Sequence, residues 1–183
     1  MIKSLSVGFF LFSSASAFAA CSEAQVDLRG DWGTARFTVE VADEPAERSL
    51  GLMNREKMAT NAGMLFLYDY PQRVAFWMEN TLIPLDMLFL SEDGTVQHIH
   101  ENAVPLDRSL IPGGDGILAV LEVNGGMTKM LGIGVGSQLR HPMLDQTLAA
   151  WPCDGDTKHA SDDIPESTAT GKDDNEDNAE DAN

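Results

Sequence analysis

From Arg36 to Val41 apolar and polar side chains alternate, with Phe37, Val39 and Val41 on one face. A period of two marks a half-buried strand. Asp43-Glu44-Pro45 then supplies an N-cap candidate and a proline for the first turn, so a short helix is expected over 45–50, closed near Gly51. Residues 63–68 and 74–78 are nearly continuous apolar runs and read as two successive buried strands, separated by Asp69-Tyr70-Pro71-Gln72. The clearest hairpin joins 87–91 to 95–100 through Glu92-Asp93-Gly94, with Asp-Gly at the turn. Pro112-Gly113-Gly114-Asp115-Gly116 reads as a flexible glycine-rich loop before a strand at 118–123. A second short helix is expected over 125–131 and a last strand near 138–140. No internal repeat is present. Most links are too short for the crossover helices of a simple parallel sheet. The pattern therefore predicts an α+β, mainly β fold: a compact barrel-like or rolled sheet with two short helices.

The ends of the chain carry different signals. Residues 1–20 begin with Lys3, continue through an apolar stretch at 5–12 and finish in small residues with Ala17-Phe18-Ala19, the pattern of a cleaved secretory signal peptide. The apolar run is far shorter than the roughly 20 residues that span a bilayer, so no transmembrane segment is expected and the mature chain should be soluble. The net charge of −17 is split. Residues 154–183 hold 11 acids against Lys158 and Lys172, and residues 21–153 hold 18 acids against nine bases. The last 30 residues contain Ile164 as their one bulky aliphatic side chain and read as a disordered acidic tail, either solubilising or a binder of cations or a basic partner. Between them, 21–153 is long enough for a single globular domain. Neither part offers a basic surface, so nucleic acid is disfavoured as a partner.

The two cysteines, Cys21 and Cys153, bracket that domain. In an oxidising compartment this placement predicts a disulfide, worth about 5 kcal/mol for a loop of this length in the chain-entropy view. The expected location is periplasmic or secreted. The alternative is a lipid anchor through Cys21, because Phe18-Ala19-Ala20-Cys21 loosely matches a lipoprotein cleavage box.

Three stretches together resemble the bacterial and archaeal domain-of-unknown-function 192 family. They are Arg48-Ser49-Leu50-Gly51-Leu52-Met53-Asn54-Arg55 followed by Gly63-Met64-Leu65-Phe66; Phe76-Trp77-Met78-Glu79-Asn80-Thr81-Leu82-Ile83-Pro84-Leu85-Asp86; and Val120-Leu121-Glu122-Val123 with Gly125 and then Leu131-Gly132-Ile133-Gly134-Val135-Gly136. The resemblance spans about 37–139. It implies a small, mostly β fold with two helices, often exported, and no established activity. Glu79 departs from the pattern, which implies a lysine there.

Candidate chemistry is sparse. Asn80, Thr81 and Asp86 flank an apolar Pro-containing turn, where they could bind a ligand or satisfy the backbone of the turn. Arg48 and Arg55 are two helical turns apart and would share a face if the helix ran on through Met53, able to hold a carboxylate or phosphate; Glu44, Glu47 and Glu56 are plainer partners. His98 and His100 point to one face of a strand, the beginning of a metal or acid–base site that would need Asp86, Glu122 or His141 as a third member. Met53, Met64, Met78, Met87 and Met130 sit among Leu, Ile and Phe and read as core filler rather than copper ligands. There is no Gly-x-Ser-x-Gly elbow and no phosphate loop, so no cofactor is expected.

The favoured expectation is a non-enzymatic envelope module that binds a small or polymeric ligand, such as a saccharide, in a pocket lined by Trp77, Asn80, Asp86 and Arg55. Arg48, Thr81, His100 and Glu122 are further candidates. The alternative is a metal-assisted or acid–base hydrolase using Asp86, His98 or His100, and Glu122. An accessory protein docking on an envelope assembly is a third possibility.

Overall fold

A computed structural model describes residues 21–153; the signal-peptide and acidic-tail assignments lie outside the described residues. Seven strands, β1 (Gln25–Gly30), β2 (Gly33–Ala42), β3 (Ala62–Phe76), β4 (Leu85–Leu90), β5 (Val96–Ala103), β6 (Ile111–Asn124) and β7 (Gln138–Arg140), form one sheet in the order β5-β4-β6-β3-β2-β1-β7. Two short helices, α1 (Pro45–Leu50) and α2 (Met127–Leu131), complete the fold. The sheet curls into a half-barrel, and its edge strands meet where Thr95 bridges Gln138 and Val96 N donates to Ser137 O at 2.8 Å. This is the mainly β, rolled architecture expected from the pattern.

Both faces of the central strands are buried, so each carries its own core. The inner cluster draws on all seven strands, among them Leu28, Phe37, Leu65, Leu88, Val96, Leu121 and Leu139. The outer cluster, including Phe66, Met87, Phe89 and Val120, is covered by Leu52, Met78 and Ile83 from the links after α1 and β3. Period-two alternation assigns each residue of β4 and β6 to one or the other. Leu88 and Leu121 face inward, whereas Met87, Val120 and Glu122 face outward.

Helix α1 begins at the expected proline and ends at Gly51, whose φ is 49°. It does not continue through Met53, so Arg48 and Arg55 do not share a helix face. The hairpin turn is also as expected. Asp93 accepts from the Ser91 hydroxyl (2.6 Å) and from Thr95 N (3.0 Å), while Gly94 takes φ 79°.

Three expectations are corrected. Residues 63–68 and 74–76 belong to the single strand β3, with Trp77 and Met78 in the link after it; the strand bends through register shifts between Leu67 and Ala75, a stretch in which Pro71 has no ladder hydrogen bond to give. The glycine-rich segment 112–116 is not a flexible loop but the start of β6, paired with β3. A side chain at Gly113 would run into Phe89 at 2.2 Å, so glycine there permits close strand packing. Met130 is not core: it is 65% exposed, because the short α2 turns Met127, Thr128 and Leu131 toward the barrel. Strand β1 carried no expectation and supplies an inner face through Val26 and Leu28.

Cys21 and Cys153 are paired, with Cα atoms 5.7 Å apart. Near this junction Trp151 lies between the guanidinium groups of Arg29 and Arg140, 4.6 and 4.2 Å from its ring centroid. Arg140 and Arg36 also share the carboxylate of Asp27, at 3.0 and 2.6 Å. Burial opposes ionisation of Asp27, but the two arginines outweigh it and hold the carboxyl below its usual range.

Candidate functional site

Glu122 follows Leu121 in β6 and therefore turns to the outer face, between Met64 of β3 and Met87 of β4 in register. It is 4% exposed, and no hydrogen bond to its carboxyl is found among the described residues. Burial pushes its pKa up to about 8, so near neutral pH it is a carboxylic acid able to donate one hydrogen bond. It lines a pocket of about 300 Å³ between α1 with its following turn and the outer face of β3 and β6.

Three aromatic side chains form walls of that pocket. Phe66 and Tyr68 are two apart on β3 and share a face, and Phe76 meets Phe66 edge-on at 5.1 Å. Trp77, 47% exposed, stands at the rim. Arg48 reaches in from α1. Its Nη1 donates to the carbonyls of Asp43 and Leu67, and its guanidinium lies over the Tyr68 ring, 5.2 Å from the centroid. Burial raises the Tyr68 phenol above its ordinary value; Arg48 draws it back and Glu122, once ionised, adds to the rise, which puts Tyr68 in electrostatic reach of both groups. Thr81 is buried in the same pocket, its hydroxyl donating to Glu79 O at 3.3 Å.

The structure thus brings Arg48, Trp77, Thr81 and Glu122 together and leaves Arg55, Asn80, Asp86 and His100 outside. Arg55 pairs with Glu40 of β2 through both carboxylate oxygens, Nη2 to Oε2 at 2.7 Å. Asn80 is an exposed turn residue at φ 54° whose carbonyl accepts from Asn54 N at 2.8 Å. Glu79, the departure from the family pattern, pairs with Arg108 at 2.8 Å.

Asp86 is fully buried but faces inward, on the opposite side of the sheet from Glu122. It accepts four hydrogen bonds: Asn102 N (2.8 Å) and Gly126 N (2.9 Å) at Oδ1, and Thr128 N (2.8 Å) and Thr128 Oγ1 (2.7 Å) at Oδ2. Helix α2 has glycine at its N-cap, so Asp86 supplies the capping oxygen from the neighbouring strand. The arrangement is structural and uses all the acceptor capacity of the carboxylate.

The histidines do not assemble a centre. His98 stacks on Phe89 at 5.6 Å, and His100 pairs with Met87, which separates it from Glu122. His141 is buried, with Nε2 on the carbonyl of Glu23 (2.9 Å) and Nδ1 accepting from Met143 N (3.3 Å). Burial lowers its pKa, against the hydrogen bond to Glu23, and favours the neutral ring. Among the described residues no three His, Cys, Asp or Glu side chains are placed to hold a metal ion.

Tyr68 and Phe76 were missed as site residues. The signal for Tyr68 was its period-two relation to Phe66; nothing local separates such a pair from ordinary core.

The chain belongs to the DUF192 family, described as uncharacterized ACR, whose profile matches residues 26–141. Two solved structures are similar to it. One is a candidate transcription regulator from Sinorhizobium meliloti 1021, 42% identical, with a TM-score of 0.63 over 68% of this chain and 97% of that one. The other is a protein of unknown function from Novosphingobium aromaticivorans DSM 12444, 37% identical, with a TM-score of 0.62 over 73% of this chain and 99% of that one. No protein of curated function matches.

Proposed function

We propose that this is an exported, non-enzymatic ligand-binding module whose site is the pocket beside α1, with saccharide as the ligand class. The observation that carries the proposal is the carboxyl of the largely buried Glu122, which has no protein partner among the described residues and opens onto a pocket walled by Tyr68, Phe76 and Trp77. A largely desolvated acid that opens onto a pocket is available to a ligand hydroxyl or carbonyl, which would hydrogen-bond it in place of solvent. The aromatic faces suit the apolar face of a sugar ring, and the rim position of Trp77 leaves room for a longer chain of sugars. The disulfide between Cys21 and Cys153 and the signal-peptide pattern of 1–20 both favour an oxidising envelope compartment.

The hydrolase alternative needs a second titratable group beside Glu122. Asp86 lies across the sheet with its oxygens occupied, and Met87 intervenes before His100. A role in transcription, carried by the name of the Sinorhizobium relative, draws no support from a chain of net charge −17.

Saturation-transfer NMR against a panel of neutral, acidic and amino trisaccharides tests the reading. Binding by at least one, weakened about tenfold by Trp77→Ala with the fold intact, is expected. Absence of binding across the panel, or binding indifferent to Trp77→Ala, contradicts it.

A further inference from the structure

Resting on that reading, the polar groups of the pocket specify the kind of sugar. Arg48 is the one cation among its lining residues and Glu122 the one acid. Arg48 is not free to turn away: the carbonyls of Asp43 and Leu67 hold Nη1, and the ring of Tyr68 lies beneath the guanidinium. Its Nε and Nη2 edge makes no hydrogen bond with the described residues. That edge is the fork that pairs with a carboxylate through two parallel hydrogen bonds. A cationic sugar would have to approach this guanidinium and would find no ionised acid beside it at neutral pH.

Glu122 fits the same occupant. The groups around it are Met64, Phe66 and Tyr68 from β3, Met87 from β4, Arg48 from α1, and Trp77 and Thr81 from the link after β3. Of these only Arg48 and Tyr68 are charged or titratable, with His100 next beyond Met87. A desolvated carboxyl in such surroundings stays protonated, and its pKa of about 8 says the same. The pocket therefore presents a fixed cation, a carboxylic acid O–H and a phenol O–H, all donors, in a molecule that is otherwise strongly acidic.

We propose that the pocket selects a saccharide bearing a carboxylate, a uronic-acid type of sugar, with the carboxylate on Arg48, a hydrogen bond from Glu122 and a ring face against Trp77. Ionising Glu122 places a second negative charge in the pocket and weakens binding.

The test is isothermal titration of the intact disulfide-bonded protein with three probes: trigalacturonate, cellotriose and the glucosamine trimer. At pH 6.5 trigalacturonate is expected to bind at least about tenfold tighter than either of the others, and to lose about tenfold in affinity between pH 6.5 and pH 9. Glu122→Gln, whatever its affinity at pH 6.5, abolishes the fall. Arg48→Gln reduces trigalacturonate to the level of cellotriose; Arg48→Lys, which keeps the charge without the fork, falls between. Cellotriose or the glucosamine trimer binding as well as trigalacturonate overturns the acidic preference and leaves the saccharide reading standing. A fall with pH that persists in Glu122→Gln also overturns the inference. Failure of all three probes at millimolar concentration overturns the inference and the saccharide reading together.

Discussion

Asp86 and Glu122 lie on adjacent strands, one register step apart, and both are buried. They face opposite sides of the sheet and live under opposite rules. Asp86 gathers four donors, three of them backbone N–H groups that α2 and the end of β5 cannot satisfy themselves, and holds the barrel end together. Glu122 has gathered none and opens onto a pocket. Burial of a carboxyl is common to both, so burial alone does not mark a site. The number of partners does, because a fully bonded carboxylate has nothing left to offer a ligand.

The largest effect expected from breaking this comparison is at Asp86. Asp86→Ala strands three backbone donors and the Thr128 hydroxyl in the interior and should cost about 4–5 kcal/mol in urea unfolding. A loss below about 1 kcal/mol would mean the four bonds are not structural.

Glu122 should behave in the opposite sense. Its carboxyl ionises near 4.5 ordinarily and near 8 in the fold, so between those values the folded chain holds the extra proton. Its stability contribution is complete below pH 4.5 and is lost as pH rises toward 8. Glu122→Gln should therefore be close to neutral at pH 5 and stabilising at pH 8, by up to about 4 kcal/mol. His141, whose pKa burial lowers, acts the other way: its contribution is complete above 6.5 and is lost as pH falls below that toward the lowered folded value. The difference between wild type and Glu122→Gln at each pH cancels that background.

Smaller effects separate the pocket from its surroundings. Trp77→Ala removes a half-exposed ring and should leave the melting temperature within about 2 °C while weakening ligand binding. Arg55→Ala breaks the surface pair with Glu40 and should change stability by less than about 1 kcal/mol and binding not at all. A loss of binding there would extend the site beyond the pocket.

How much of this was legible in the chain follows from which interactions are local. The α1 start at Pro45, the Asp93-Gly94 turn and the alternation of β2 are decided within a few residues, and they read correctly. The long β3 did not, because Pro71 looks like a terminator until β6 is seen pairing on both sides of it. The glycines at 112–116 looked like a loop for the same reason: the ring of Phe89 that requires Gly113 comes from another strand. At the site, alternation could place Val120 and Glu122 on one face. It could not say that the outer face is also covered, which is what buries Glu122 and shifts its acidity. Nor could spacing foresee that Asp86, two residues after a turn proline, would cap a helix forty residues later.

The central claim is that Glu122 is a protonated, unpartnered acid in the pocket at neutral pH. Its side-chain carboxyl can be followed directly by carbon-13 NMR, assigned by its disappearance in Glu122→Gln. A titration midpoint near 8 is the expected result. A midpoint near the ordinary value of 4.5 would contradict the account, because the group would then be an ionised, solvated carboxylate.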